Sequence, residues 1–200
     1  MKMANYIAVC GSIGAGKTSL AAALAKAMGA QLLLEQVENS ALLGDFYGDP
    51  ETYALKLQLT LLMERSRKLS LLRPSDRLTV TDFVFETERV FAGINLKTLE
   101  HEVYQTLYER SAQLVPSPKK VVFIRAEVPL LLERIKQRGR PYERNIDPVY
   151  LERVTEGFEQ MIAGYKGAPV LTVRAEETNA EASSPFMINL MAGLREGNKK

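Results

Sequence analysis

The feature that most constrains this chain is a glycine-rich run near its start, from Gly11 to Thr18. The run fits the pattern G-x-x-x-x-G-K-[ST], in which backbone N–H groups and a helix N-terminus surround a phosphate. An apolar segment precedes the run at 6–10, and a strongly helical segment follows it at 20–28. The pattern therefore predicts a strand, a phosphate-binding loop and a helix, in a chain that binds a nucleoside triphosphate.

We expect the backbone of this loop to hold the phosphates of ATP. Lys17 would supply a point charge to the β- and γ-phosphates, and the Thr18 hydroxyl would be a ligand of Mg²⁺. In the alternative, the loop is a glycine-rich turn that only connects a strand to a helix, and the lysine and threonine stand there by accident. The predicted ATP-binding residues are Gly11, Ser12, Ile13, Gly14, Ala15, Gly16, Lys17, Thr18 and Ser19.

Length and composition restrict the class of protein further. A chain of 200 residues suits one domain with a sizeable core, so we predict a single domain over 1–200. The formal net charge of +2 is too small to indicate a nucleic acid polymer or an anionic membrane as a partner. No apolar run is long enough to span a membrane. The one cysteine, Cys10, excludes a disulfide framework, and we predict a protein of the reducing cytoplasm.

Short apolar runs alternate with longer amphipathic segments, which is the pattern of β-α units on a parallel sheet. The predicted strands are 4–10, 30–35, 78–82, 119–124 and 169–173. The predicted helices are 16–28, 51–72, 97–112, 128–138 and 148–164, and the tail at 175–200 is predicted to be a weakly ordered helix with a frayed end. This order predicts a three-layer α/β fold with a five-stranded parallel sheet, whose ligands bind at the carboxyl ends of the strands.

Two carboxylates stand at the ends of predicted strands, Glu35 on the second and Asp82 on the third. A carboxylate at the end of a buried strand costs desolvation energy, so it usually has a partner or a function. Glu35 would accept a hydroxyl proton near the γ-phosphate, and Asp82 would hold Mg²⁺ directly or through water. The alternatives are a solvated loop residue for Glu35 and a helix N-cap for Asp82.

A basic segment at about 134–146 is predicted to form a lid. Arg134 and Arg138 are four residues apart and project from one helix face, and a glycine then lets Arg140 reach over the site. Residues 125–144 contain six basic and three acidic side chains, a composition that would neutralise a transferred phosphoryl group. The alternative is a solvated, charged helix.

Gln58 and Arg65 lie within an otherwise apolar stripe of the helix predicted at 51–72. A polar residue in such a stripe is ordinarily a core group whose hydrogen bonds are satisfied. The alternative is a group that lines a pocket and contacts the edge of a base.

Together these residues resemble the deoxyribonucleoside kinases, the family of the deoxycytidine, deoxyguanosine and deoxyadenosine kinases, over about residues 5–165. The most selective element is Glu35-Gln36-Val37-Glu38, because the family carries Glu-Pro-Val-Glu there and its first glutamate is the catalytic base. The resemblance implies a P-loop kinase fold and transfer of the ATP γ-phosphoryl group to the 5′-hydroxyl of a deoxyribonucleoside in nucleotide salvage. It also implies a homodimer packed through helices.

The resemblance assigns roles to individual positions. Tyr47 matches the tyrosine that contacts the sugar, and Gln58 matches the glutamine that contacts the base. Arg65 matches an arginine that in several members helps to read the base, and Glu143 matches the acid that holds the sugar 3′-hydroxyl. The residues predicted to bind the deoxyribonucleoside are Glu35, Tyr47, Gln58, Arg65, Asp82 and Glu143, and the predicted catalytic residues are Glu35, Lys17, Arg134, Arg138 and Arg140.

The chain departs from the family after the third strand. The best-known members carry Arg-Ser after the acid, whereas this chain has Phe83-Val84 after Asp82. The arginine that commonly supports the catalytic glutamate is therefore absent, and its task would fall to Arg89 or to a lid arginine, unless the geometry differs. The preferred base stays open, because a glutamine amide pairs equally well with adenine and with cytosine.

Two other functions stay open at this point. One is a nucleoside monophosphate or small-metabolite kinase of the same fold, and the other is a non-catalytic nucleotide sensor. A monophosphate acceptor needs a second anion site, and the region 39–58 offers only Lys56 as a basic residue. The intact Lys17, Thr18 and Glu35 argue against a sensor that has lost its chemistry.

Overall fold

A parallel five-stranded sheet forms the centre of the structure, a computed structural model that describes residues 4–37, 41–74, 77–178, 181 and 183–195. The strands are β1 (Tyr6–Gly11), β2 (Gln31–Leu33), β3 (Thr79–Thr81), β4 (Lys120–Arg125) and β5 (Val170–Arg174). Their spatial order is β2-β3-β1-β4-β5, and every pair is parallel. The predicted five-stranded parallel sheet is confirmed, with the strand that leads into the glycine loop at its centre.

Helices cover both faces of the sheet. The helices are α1 (Lys17–Ala27), α2 (Ala41–Gly48), α3 (Pro50–Ser70), α4 (Thr87–Asn95), α5 (Thr98–Ala112), α6 (Val128–Arg138), α7 (Pro148–Ala163) and α8 (Pro185–Arg195). Short 3₁₀ helices occur at Pro141–Glu143 and Ala175–Glu177. None of the helices in the described ranges is long and apolar enough to cross a membrane.

The central strand β1 lies between two layers of helices, one on each face of the sheet. All six residues of β1 are buried, and successive side chains point to opposite faces of a sheet. Ile7 and Val9 therefore pack into a core with α1, α6 and α8, whereas Ala8 and Cys10 pack into a core with α3, α5 and α7. A strand buried on both faces is apolar throughout, which is why the run at 6–10 is so marked in the sequence.

The sequence does not predict α2 and α4. They have only eight and nine residues, and each contains glycine, which lowers helix propensity. They are formed through packing, since α2 buries Phe46 against α3 and α4 lies between α3 and α7. Tertiary contacts here outweigh a weak local preference.

The predicted bounds of β2 are wrong at the carboxyl end. The strand ends at Leu33 rather than at Glu35, because the carbonyls of Leu34 and Glu35 accept hydrogen bonds from Lys68 Nζ, at 2.9 and 2.5 Å, instead of joining the ladder. Glu35 is thus the second residue after the strand. Glu38 and, within the predicted tail, residues 179–180, 182 and 196–200 lie outside the described residues.

Candidate active site

A pocket lies at the carboxyl ends of β1, β2 and β3, where parallel α/β sheets bind ligands. It brings together residues that are far apart in the sequence and come from the glycine loop, the segment after β2, α2, α3 and the segment after α6. The predicted site residues among its lining are Ile13, Gly14, Lys17, Thr18, Glu35, Tyr47, Gln58, Arg65, Asp82, Arg138, Arg140 and Glu143. Ser19 and Arg134 line an adjoining groove together with Gly14, Gly16, Lys17, Thr18, Arg138 and Arg140.

The glycine loop has the backbone shape that its sequence predicts. Gly14 and Gly16 have φ angles of 83° and 95°, in the region that residues with a side chain rarely adopt. A Cβ at Gly14 would also lie 3.0 Å from the carbonyl oxygen of Leu131. Gly16 is the N-cap of α1, and the first turn of that helix contains no acidic side chain. The helix N-terminus is therefore available to a phosphate.

Lys17 stands at the start of α1 and reaches back over the loop. Its Nζ donates to the carbonyl oxygen of Ser12 at 2.9 Å. Burial of the ammonium group lowers the pKa of Lys17 to about 8, although the Asp82 carboxylate opposes this shift. Burial thus disfavours the protonated form of Lys17 in the free protein, and a bound anion would stabilise that form.

Thr18 and Asp82 lie side by side although 64 residues separate them. Thr18 Oγ1 donates to Asp82 Oδ2 at 2.6 Å, and Asp82 Oδ1 accepts from the backbone N–H of Glu35 at 2.8 Å. Asp82 is not the helix cap of the alternative interpretation, because α4 begins only at Thr87. One hydroxyl and one carboxylate suit Mg²⁺, which keeps several waters and takes its other ligands from phosphate oxygens.

The backbone of Glu35 is held from two sides. Its N–H donates to Asp82, and its carbonyl accepts from Lys68, a residue that the sequence did not single out. The next residue, Gln36, has a φ angle of 63°, whereas the proline ring holds φ near about −65°. A proline could not adopt this backbone at position 36.

The carboxylate of Glu35 contacts Arg65, which reaches it from α3. The same guanidinium contacts the carboxylate of Glu88, a fully buried residue in the first turn of α4. The arginine next to Glu35 is therefore neither Arg89 nor a lid arginine. Arg89 is exposed and lies over the ring of Tyr108, 5.7 Å from its centroid.

Sequence reasoning missed Glu88. The signal was the same as for Gln58 and Arg65, a polar residue within an apolar helix face.

Arg65 remains a cation at neutral pH, because burial lowers its pKa only to about 10.

The far wall of the pocket carries groups suited to a sugar and a base. Gln58 is 2% exposed, and its Oε1 has no hydrogen-bond partner within the described part of the chain. Tyr47 stacks on Tyr142, with ring centroids 5.8 Å apart. Burial raises the pKa of Tyr47, so the phenol stays protonated and can donate.

Glu143 is 4% exposed and is not a surface group. Its Oε2 accepts from Arg138 Nη2 at 2.6 Å, and Arg140 Nη1 lies 3.7 Å from its Oε1. Arg138 and Arg140 therefore converge on one buried carboxylate beside the glycine loop.

Arg134 has a different environment from the other two lid arginines. Its guanidinium donates to the carbonyl oxygens of Ala15 at 3.0 Å and Ala175 at 2.8 Å. In this structure Arg134 thus ties α6 to the glycine loop and to the start of the tail. The segment that follows is the 3₁₀ helix at 141–143, which begins after Gly139 ends α6 in a left-handed conformation.

The chain is similar over most of its length to known proteins. Residues 7–193 match the family model described as deoxynucleoside kinase. A deoxyguanosine kinase of Bacillus subtilis is 32% identical over 196 residues, which cover 94% of this chain and 92% of that protein. A deoxyadenosine/deoxycytidine kinase of the same organism is 28% identical over 98% of this chain and 95% of its own length. A structure of deoxyadenosine kinase from M. mycoides with bound dATP has a TM-score of 0.81, at 24% identity, over 94% of this chain and 97% of the other. That likeness shows a common fold.

Proposed function

Since this chain belongs to the deoxynucleoside kinase family, we propose that it transfers the γ-phosphoryl group of ATP to the 5′-hydroxyl of a deoxyribonucleoside. It is a phosphotransferase of nucleotide salvage. One observation carries the assignment of roles. Asp82 binds the hydroxyl of Thr18 with one carboxylate oxygen and the backbone of Glu35 with the other. Asp82 therefore links the predicted metal ligand Thr18 to the backbone of the predicted proton acceptor.

The glycine loop would bind ATP, the donor of the phosphoryl group. Backbone N–H groups of Ser12 to Thr18 and the N-terminus of α1 would bind the phosphates, and Lys17 would exchange its contact with Ser12 for phosphate oxygens. Mg²⁺, when bound by Thr18 and Asp82, would neutralise charge on the phosphates. Phosphoryl transfer depends mainly on such positioning and neutralisation.

The nucleoside, which accepts the phosphoryl group, would bind against the opposite wall of the pocket. Glu35 would accept the proton of the 5′-hydroxyl. The unpaired Oε1 of Gln58 would accept a hydrogen bond from an exocyclic amino group of the base. A 3′-hydroxyl between Tyr47 and Glu143 could accept from the phenol and donate to the carboxylate. Arg138 contacts that same carboxylate, so sugar binding at Glu143 would free the arginine for the transferred phosphoryl group.

The described structure favours a nucleoside over a nucleoside monophosphate. Lys56 is exposed and does not line the pocket, so it offers no second anion site. Arg65, which lies on the acceptor wall, already contacts two carboxylates. A monophosphate would have to displace one of these contacts.

The direct test is ATP consumption in the presence of each of the four deoxyribonucleosides, with the product identified as the 5′-monophosphate. Nucleoside monophosphates serve as the competing acceptors. Lys17→Ala should lose activity by at least about 10²-fold. Lys26→Ala is the matched control, since Lys26 is exposed in the last turn of the same helix. Turnover with monophosphates alone would refute the proposal and identify a monophosphate kinase. Turnover with neither deoxyribonucleosides nor monophosphates would favour a nucleotide sensor.

We further propose a homodimer packed through helices. Three apolar side chains spaced four residues apart on α5 are exposed to solvent: Leu99 by 76%, Val103 by 55% and Leu107 by 41%. Such a stripe is a candidate interface. Sedimentation velocity should show a dimer for the wild type and a monomer for Val103→Lys. Val149→Lys, at an exposed valine on α7, should remain a dimer, and the reverse result would move the interface to α7. We also propose a cytoplasmic location, supported by the free, buried Cys10.

A further inference from the structure

Lys68 lies in the last turn of α3 and binds the backbone around Glu35, 33 residues away in the sequence. Its Nζ donates to the carbonyl oxygen of Leu34 at 2.9 Å and to that of Glu35 at 2.5 Å. Lys68 is partly buried and is not among the described residues that line the pocket. It would therefore act on a ligand only through the residues that it holds.

The two carbonyl groups belong to the two peptide planes that flank the α-carbon of Glu35. A peptide unit is planar, so a bond to its carbonyl oxygen limits rotation of the whole unit. The first plane is held twice, because its carbonyl binds Lys68 and its N–H donates to Asp82 at 2.8 Å. The second plane is held by Lys68 through the carbonyl of Glu35. With both planes fixed, the direction in which the Glu35 side chain leaves the backbone is fixed as well.

The second plane has an orientation that the local sequence disfavours. It sets the φ angle of Gln36, which is 63°, and Gln36 is the one described residue other than glycine with a positive φ. A residue with a side chain pays free energy for a positive φ, which the surrounding structure must offset. Rotation of this plane would return φ to the negative values that glutamine prefers. The same rotation would carry the Glu35 carbonyl away from Lys68.

We propose that Lys68 is a positioning residue for Glu35. It holds the peptide plane between Glu35 and Gln36 in its strained orientation, and it thereby directs the Glu35 carboxylate toward the acceptor hydroxyl. The proposal rests on the proposed function for the role of Glu35. A lysine ammonium suits this task, because it has three N–H donors on a flexible stem and can bind two carbonyl oxygens at once.

In the alternative, Lys68 only fastens the end of α3 to the sheet. A substitution at position 36 separates the two roles. Gln36→Gly removes the side chain that makes a positive φ costly, so the turn depends less on the lysine. If Lys68 acts by holding the turn, Gln36→Gly should restore the activity that is lost without Lys68. If Lys68 only fastens α3, Gln36→Gly should restore nothing.

The test is a double-mutant cycle of Lys68→Met and Gln36→Gly. Lys68→Met should lower kcat by about 10-fold or more with little change in KM for the deoxyribonucleoside, because the proton acceptor is misplaced while the binding groups remain. Gln36→Gly alone should keep kcat close to that of the wild type, and the double variant should recover most of the loss. Lys68→Arg keeps the charge and several donors, so it should retain more of kcat than Lys68→Met.

Arg67→Met is the matched control, because Arg67 is an exposed cation in the same turn of α3. It should behave like the wild type in kcat and in thermal unfolding. Lys68→Met should also fold, since Leu34 and Glu35 are only partly buried and water can replace the lost donor. Thermal unfolding of each variant checks this.

A second measurement needs no turnover. The φ angle of Gln36 is determined by NMR in the protein without nucleotide, from backbone scalar couplings that distinguish positive from negative values. The wild type and Arg67→Met should show the positive φ. In Lys68→Met the positive φ should be lost in favour of negative values, since nothing then holds the Glu35 carbonyl in its present direction.

A Gln36 that keeps its positive φ in Lys68→Met would overturn the proposal, whatever happens to kcat. So would a wild-type kcat in Lys68→Met, or a loss of kcat that Gln36→Gly does not restore. A wild type without kinase activity would refute the proposed function instead. The measured φ would then still decide whether Lys68 holds the turn.

Discussion

The affinity of the free protein for ATP should depend on pH through Lys17. Burial lowers the pKa of this lysine to about 8 in the free protein. Bound phosphate oxygens would favour the ammonium form and return the pKa toward its ordinary value of about 10.4. Since the free state has the lower pKa, binding takes up a proton. Affinity is then full below about pH 7, begins to fall as the pH rises through about 8, and continues to fall up to the pKa of the bound state.

The magnitude follows from the fraction of Lys17 that is already protonated. With a pKa of about 8, that fraction is about nine tenths at pH 7 and about one tenth at pH 9. The apparent affinity should therefore fall about tenfold between these two pH values, which corresponds to about 1.4 kcal/mol. At pH 9 each bound ATP should take up roughly 0.9 of a proton.

Titration calorimetry measures both quantities. MgATP is titrated into the protein without a deoxyribonucleoside, at pH 7 to 9, in buffers that differ in their enthalpy of ionisation. The slope of the observed enthalpy against the buffer enthalpy gives the number of protons taken up. Lys17→Met should bind more weakly and lose the dependence on pH over this range.

Lys26→Met is the control for a general effect of removing a lysine from α1, and it should behave like the wild type. An affinity that is the same at pH 7 and pH 9 would contradict the argument. So would a Lys17→Met variant that keeps the full pH dependence, because another group would then be responsible.

Three further predictions concern the chemistry and the sugar. Glu35→Gln should lower kcat by about 10²–10⁴-fold with little change in nucleoside affinity, since an amide cannot accept the proton; unchanged kcat at saturation would exclude Glu35 as the base. Arg138→Ala and Arg140→Ala should each impair phosphoryl transfer far more than they weaken nucleoside binding without ATP, as measured by calorimetry; a collapse of that binding would mean that these arginines hold the acceptor. The wild type should prefer a 2′-deoxynucleoside over its 2′,3′-dideoxy analogue in kcat/KM, and Glu143→Ala should lose most of this preference. The reason is that the buried carboxylate is the proposed acceptor of the 3′-hydroxyl. An undiminished preference in the variant would refute that role.

Much of the fold could be predicted because its signals are local. The alternation of apolar runs with amphipathic segments predicts the five strands, and the same pattern predicts α1, α3, α5, α6 and α7 to within two residues at each end. Asp49-Pro50 illustrates the reason. Proline is tolerated in the first turn of a helix, and the Asp49 carboxylate accepts from the N–H of Thr52 at 3.2 Å.

Elements without a local signal were not predictable in this way. The short helices α2 and α4 depend on their packing against α3, and the end of β2 depends on a lysine that is more than 30 residues away. A one-dimensional pattern contains no information on which distant side chain will satisfy a given carbonyl group.

The sequence by itself determined the type of protein and the region of the site. A glycine loop between a strand and a helix predicts phosphate binding, and residues after parallel strands must converge at one edge of the sheet. Only the tertiary structure decided which charges meet there. Arg65 stands 30 residues from Glu35 and 23 from Glu88 in the sequence, and nothing local orients its side chain toward either. The packing of α3 against α4 places one guanidinium between two carboxylates, and the cost of burying each charge alone is what requires them to be together.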